Sequence, residues 1–204
     1  MDRRELIKTI AVLTGASVVG GQVFLSGCAV EPKDEGPFTA DIIRLLDEVA
    51  ETIIPETDTP GAKAAGVGAF MKVMITDCYT PAEQDAFLAG VKALDEYSLA
   101  THQMSFMDSS PAQRKSLLES LLALAKDFNA QRKESDAARK AEAEAAGTDF
   151  VPTPPHYMTM MKQLTLWGFF TSETGMTRTL RHLPVPGRYD GNAPYSQGER
   201  AWAE

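Results

Sequence analysis

The chain has little of the residue types that bind metals or form disulfide frameworks. It contains two cysteines, Cys28 and Cys78, and three histidines among 204 residues. The histidines lie far apart in sequence, and none forms a zinc-type spacing with a cysteine. We therefore predict no metal site. We expect Cys78 to be a small buried residue, because lone cysteines usually are.

The motifs that commonly mark catalysis are also missing. There is no glycine-rich dinucleotide fingerprint, phosphate loop, haem attachment pair or nucleophile elbow. Positive charge is scarce too, with 20 Lys and Arg against 28 Asp and Glu and a net charge of −8, which disfavours a nucleic acid partner. We predict no catalytic residue and no cofactor in this chain, and we expect its carboxylates to lie on solvent-facing sides of helices.

The first residues have the order of regions that is typical of an export signal peptide. Arg3 and Arg4 precede an uncharged stretch, residues 9–25, which is interrupted by glycines and, at roughly 17 residues, is marginal for spanning a bilayer. Small residues then lead to Cys28, as in a lipobox. This order predicts a twin-arginine lipoprotein signal peptide over residues 1–27. The alternatives are an uncleaved anchor or a chance apolar helix.

The signal peptide carries predictions of its own. We expect Cys28 to be the lipid-bearing first residue of the mature protein, followed by a linker, residues 28–39. The partners it implies are the twin-arginine translocase and the membrane, and the location is the periplasmic side of a bacterial membrane.

Apolar residues recur at helical spacing after the linker. Residues 40–54 and 64–78 form two such stretches, separated by a turn-rich loop that begins at Pro55. Thr80 and Ser110 each open a capping box with proline at the next position, which predicts two further helices. The stretch 156–170, rich in methionine and aromatic residues, predicts a last helix.

Two segments have no apolar periodicity. Residues 129–150 are charged and rich in alanine, which favours a solvated helical extension or a mobile insertion. Residues 183–204 contain repeated prolines and glycines and form a tail that either folds back on its own domain or lies on another protein. The fold class predicted is all-α: a helical domain, residues 40–182, with an irregular extended C-terminal arm, preceded by the signal peptide.

Three separated motifs resemble one known family, in the right order. They are Ile54-Pro-Glu-Thr-Asp-Thr-Pro-Gly-Ala-Lys-Ala-Ala-Gly-Val67, Leu166-Trp-Gly-Phe-Phe-Thr-Ser-Glu-Thr-Gly175 and Val185-Pro-Gly-Arg-Tyr-Asp-Gly191. Together they are similar to the gluconate 2-dehydrogenase subunit 3 family, and the resemblance spans most of the mature chain.

The resemblance implies a non-catalytic accessory small subunit of a periplasmic flavin dehydrogenase of the glucose–methanol–choline (GMC) type, acting on sugars, glycosides or sugar acids. FAD is expected in the partner, which would be exported folded on this chain's leader and would pass electrons to a c-type cytochrome or another acceptor. A stand-alone structural or binding lipoprotein, with its helical domain at the membrane surface, is the alternative.

The same resemblance implies a contact surface for the catalytic subunit. Aromatic residues and arginine are the usual anchors of interfaces. The residues expected there are Trp167, Phe169, Phe170, Glu173, Arg188, Tyr189, Asp190 and Tyr195. The alternative for the three aromatic residues of the 166–175 motif is a place in the core.

Overall fold

In the computed structural model, residues 36–185, 187, 191–192, 194 and 196–203 are described. Within the unit Pro37–Glu204, these residues form five α-helices: α1 Ala40–Ile53, α2 Val67–Cys78, α3 Pro81–His102, α4 Pro111–Ala146 and α5 Tyr157–Thr171. A short 3-10 helix, Lys63–Ala65, precedes α2, and a π-helical turn, Gly175–Thr179, follows α5. The described part of the chain contains no strand, which confirms the all-α prediction.

The helix starts follow from local side-chain chemistry. Thr80 and Ser110 accept hydrogen bonds from the backbone N–H groups of Glu83 and Gln113, and those two side chains reach back to the cap residues. Both predicted capping boxes are confirmed, each with proline in the first turn. At its other end, α4 stops where Gly147 takes a left-handed conformation, with φ of 68°.

Helix α5 is the centre of the bundle, since it packs against all four other helices. The helices supply a continuous core, and the close approach of α3 to α5 requires Gly90, because a Cβ there would lie 2.1 Å from Tyr157 Cγ. The largest fully buried side chains are Leu46, Met71, Ile75, Phe87, Leu94, Phe106, Leu117, Met158, Met160, Met161, Leu164 and Phe169.

The charged segment forms the second half of α4, beyond the part that packs in the core. Residues 148–156 then run back along this helix. Asp136 accepts hydrogen bonds from the Thr153 N–H and hydroxyl (3.1 and 2.8 Å), and Arg139 donates to the Val151 carbonyl (3.3 Å). This half of α4 is a helical extension without a buried residue, one of the two predictions made from the sequence, and polar contacts join it to its return segment. We call the second half of α4 and its return segment together, residues 127–155, the α4 arm.

The C-terminal tail also returns to its own domain. Arg181 exchanges two backbone hydrogen bonds with the chain end, donating to the Ala201 carbonyl (2.8 Å) and accepting from Ala203 (2.9 Å). Its guanidinium lies 4.2 Å from the centre of the Trp202 ring, a cation–π arrangement. The part of the tail around Trp202 thus folds back, which is one of the two outcomes that the sequence left open.

Candidate functional site

The central helix leaves one of its sides uncovered. Helix α5 is apolar around most of its circumference, a pattern typical of a helix surrounded by protein. Yet one arc of about 140°, at 3.6 residues per turn, is only partly covered by the other described elements. We call this arc the α5 face; it consists of Thr159, Lys162, Gln163, Leu166, Trp167 and Phe170.

The apolar half of the α5 face continues onto α2. The Phe70 ring lies edge-on to Trp167, with ring centres 6.0 Å apart. Val73, one turn further along α2, is 55% exposed, and Trp167 is 49% exposed. Gly168 permits the close approach of the two helices, since a Cβ at this position would lie 2.6 Å from the Phe70 ring. The Phe70–Trp167 contact thus joins exposed apolar residues of the two helices. An exposed apolar patch commonly marks a protein or membrane contact.

On its other side, the α5 face borders a groove between α4 and α5 with a volume of about 420 Å³. Asn129 fixes its end by donating to the Thr159 hydroxyl (2.8 Å) and accepting from the His156 N–H (3.1 Å). We call this the α4–α5 groove; its lining is Leu122, Lys126, Asn129, Thr159, Lys162, Gln163 and Leu166. Four residues belong to both surfaces and join them: Thr159, Lys162, Gln163 and Leu166.

The aromatic residues predicted at the interface differ in their solvent exposure. Trp167 and Phe170 are exposed, and so is Glu173 just beyond the helix. Phe169 is 1% exposed and packs in the core, with its ring 5.1 Å from that of Phe170. Phe169 is therefore not available at the surface, and the alternative that we gave for it, a place in the core, is the observed one.

Other predicted residues lie outside the described part of the chain. Arg3, Arg4 and Cys28 of the leader are among them, as are Arg188, Tyr189, Asp190 and Tyr195 of the tail. Among the helices that the structure describes, none combines the length and apolarity needed to span a bilayer.

Several carboxylates expected on solvent-facing sides hold the backbone of the first motif instead. Glu51 accepts hydrogen bonds from the N–H groups of Glu56 (2.7 Å) and Lys63 (2.8 Å). A Cβ at Gly61 would lie 2.3 Å from the Glu51 carboxylate. Asp47 accepts from the Gly68 N–H (2.7 Å). The loop between α1 and α2 is thus wrapped around three acids of α1, the third being Glu48.

Glu48 links three elements. It forms ion pairs with Lys63 at the end of the loop and with Arg114 of α4, where the Arg114 Nη1 to Glu48 Oε2 distance is 2.6 Å. The hydrogen-bonded Lys63 ammonium, together with Arg114, holds the pKa of Glu48 below its usual range. Burial has the opposite effect on the neighbouring Asp47, whose pKa is raised. These shifts have structural causes, so they do not by themselves indicate catalysis.

The remaining metal-ligand and nucleophilic side chains are dispersed. Among the described residues, no group of three or more His, Cys, Asp or Glu is placed to hold a metal ion. His156 instead caps α5, with Nδ1 accepting from the Met158 N–H (3.2 Å), and burial lowers its pKa. Cys78 is exposed at the last residue of α2. Our expectation that Cys78 would be buried was wrong: this residue ends α2, and its side chain is in contact with solvent.

An all-α domain with an exposed apolar side on its central helix is typical of proteins that assemble with a partner. Comparison with known families agrees with this class. Residues 40–187 match the family described as gluconate 2-dehydrogenase subunit 3. The chain belongs to this family, and the match covers every helix of the domain. Searches of curated proteins and of solved structures return no match.

Proposed function

We propose that this chain is the non-catalytic accessory small subunit of a periplasmic FAD-dependent dehydrogenase of the GMC type that oxidises a sugar, gluconate or a glycoside. The family is that of a dehydrogenase subunit, and the α5 face supports a role in assembly. FAD belongs to the catalytic partner in this proposal. A c-type cytochrome subunit is the proposed electron acceptor.

The observation that carries the proposal is the uncovered apolar side of the central helix. A helix that contacts every other helix of a domain is normally shielded from water, and exposing Trp167 and Phe170 is costly unless another surface covers them. Aromatic residues at the centre of an interface supply much of its binding free energy. We therefore place the catalytic subunit on the α5 face and on the adjoining part of α2.

The leader gives the chain a second task. A flavoenzyme that binds FAD before export has to cross the membrane folded, which is the route that a twin-arginine signal addresses. We propose that Arg3 and Arg4 serve the export of the whole complex and that lipid on Cys28 tethers it. We further propose that Glu173, Arg188, Tyr189, Asp190 and Tyr195 lie at the edge of the same interface.

The assembly proposal is tested by co-purification: the chain is expressed with a tag in its native host, and the retained proteins are analysed for a flavoprotein of the GMC type. We expect the flavoprotein to be retained by the wild-type chain and largely lost with Trp167→Ala/Phe170→Ala. Leu99→Ala is the control, because Leu99 is a similarly exposed apolar residue on α3. If the wild-type chain retains no flavoprotein, the stand-alone lipoprotein is the better reading.

The export proposal has its own experiment. Arg3→Lys/Arg4→Lys should abolish periplasmic dehydrogenase activity while the flavoprotein accumulates in the cytoplasm. Undiminished periplasmic activity would exclude the co-export role. Mass spectrometry of the mature chain should find an acylated Cys28 as its first residue, and a free Met1 would exclude the lipid anchor.

A further inference from the structure

We propose that the α4–α5 groove is a second docking site, which receives a segment of the catalytic subunit that presents an apolar side chain flanked by carboxylates. This inference rests on the proposed function, and it specifies where on the small subunit the partner's acidic residues bind. It makes the interface two-sided, with an apolar contact on α2 and α5 and an electrostatic contact on α4 and α5.

The first argument is the charge of the groove. The protein has a net charge of −8, but the groove is lined by Lys126 and Lys162 and by no acidic residue. Both lysines are exposed and stand on neighbouring helices, one on each wall. A local positive site on an acidic protein attracts carboxylates.

The second argument is the apolar part of the groove lining. Leu122 of α4 and Leu166 of α5 contribute to this lining together with the two lysines, and Leu166 is exposed. Such a lining can bind a segment whose apolar side chain packs on the leucines while its acidic neighbours are oriented by charge. A segment with a single apolar anchor between two acids satisfies both features.

The third argument is continuity. The groove includes the polar half of the α5 face, and Leu166 lies next to Trp167 in sequence, so a partner that covers Trp167 reaches the groove without a gap. Asn129 is held from both sides, by Thr159 and by the His156 backbone. This end of the groove is therefore fixed before a partner segment binds, which reduces the entropy lost on binding.

Exposed charges at an interface act chiefly on the rate of association, so the test measures that rate and its dependence on salt. The experiment measures the association and dissociation rates of the purified flavoprotein subunit with the immobilised chain, at ionic strengths of about 0.1 M and about 1 M. The groove variant is Lys126→Glu/Lys162→Glu. The control is Arg44→Glu/Lys92→Glu, which makes the same change in net charge at exposed positions of α1 and α3 outside the groove.

We expect the groove variant to associate roughly tenfold more slowly than the control at about 0.1 M, with the difference falling below about twofold at 1 M. Lys126→Arg/Lys162→Arg should associate at the wild-type rate. Leu166→Ala should dissociate about fivefold faster with little change in association, because it removes part of the apolar lining and leaves both lysines. Thermal unfolding of each variant verifies that the fold is intact.

Equal rates for the groove variant and its control, with wild-type binding intact, would overturn the groove proposal and leave the accessory function standing. Failure of the wild-type chain to bind the flavoprotein would overturn both. A third outcome is that the groove variant loses binding to phosphatidylglycerol vesicles and keeps its rate with the flavoprotein. The groove would then be a lipid site, and this proposal would be wrong.

Discussion

Removing the Glu51 carboxylate should loosen the loop that carries the first family motif. Two backbone N–H groups, those of Glu56 and Lys63, donate to it at the surface of the domain. A hydrogen bond of this kind contributes about 1 kcal/mol. Glu51→Ala should therefore lower the free energy of unfolding by about 2 kcal/mol, which corresponds to a melting temperature roughly 4–8 °C lower for a domain of this size.

Gly61→Ala should have nearly the same effect by a different route. Its Cβ would lie 2.3 Å from the carboxylate, so the Glu51 side chain has to move and both hydrogen bonds are lost. The two substitutions remove the same interaction. The double variant should then be destabilised by about 2 kcal/mol, and not by the sum of about 4 kcal/mol that independent sites would give.

The assay is thermal and urea unfolding of the purified variants, followed by circular dichroism. Glu96→Ala on the exposed side of α3 is the matched control and should change stability by less than about 0.5 kcal/mol. Additive losses in the double variant would refute the reasoning, since Gly61 would then act independently of Glu51.

Three other perturbations have defined outcomes. Gly90→Ala should destabilise the domain by about 1–3 kcal/mol in urea unfolding, although alanine favours helix, because its Cβ collides with Tyr157. The pKa of His156 is lowered in the folded chain from its ordinary value of 6.5, so below that pH the unfolded chain binds more protons than the folded chain. The free energy of unfolding should therefore be unaffected by His156 above that pH and should fall as the pH drops below it. His156→Asn, which retains a capping oxygen, should reduce this loss in unfolding curves measured from pH 8 to 5.5. Asp136→Ala should increase amide hydrogen exchange and protease cleavage in the return segment, residues 148–153, while exchange in the core helices stays unchanged, because Asp136, 13% exposed, joins that segment to α4.

Much of the fold could be predicted from the sequence because its signals are local. Capping boxes at Thr80 and Ser110 and apolar spacing in α1 define helices without reference to the rest of the chain. The central position of α5 was harder to predict, because an apolar helix is compatible with burial on any side. Lys162 and Gln163 mark the solvent side of the helix, and Trp167 and Phe170 follow Gln163 at helical spacing. Phe169 also follows Lys162 at helical spacing and is nevertheless buried, so this pattern does not separate it from the exposed aromatic residues.

The features that sequence reasoning missed depend on contacts between distant residues. Glu51 looks like an ordinary surface acid of an amphipathic helix, and only the returning loop turns it into an acceptor for Lys63, twelve residues away. The pairing of Arg181 with the chain end likewise spans an irregular tail. The α4 arm has no apolar stripe, so its polar contacts with residues 148–153 leave no periodic pattern to detect.

The dissociation constant for the flavoprotein subunit, compared between two valine variants, tests the central claim most directly. Val73 lies beside the α5 face and Val151 on the α4 arm, and they are 55% and 67% exposed. Val73→Glu should weaken binding by about tenfold to a hundredfold, because it places an unpaired carboxylate in an apolar interface. Val151→Glu should change it by less than about twofold. Equal affinities for the two variants would contradict the claim that the catalytic subunit binds the surface formed by α2 and α5.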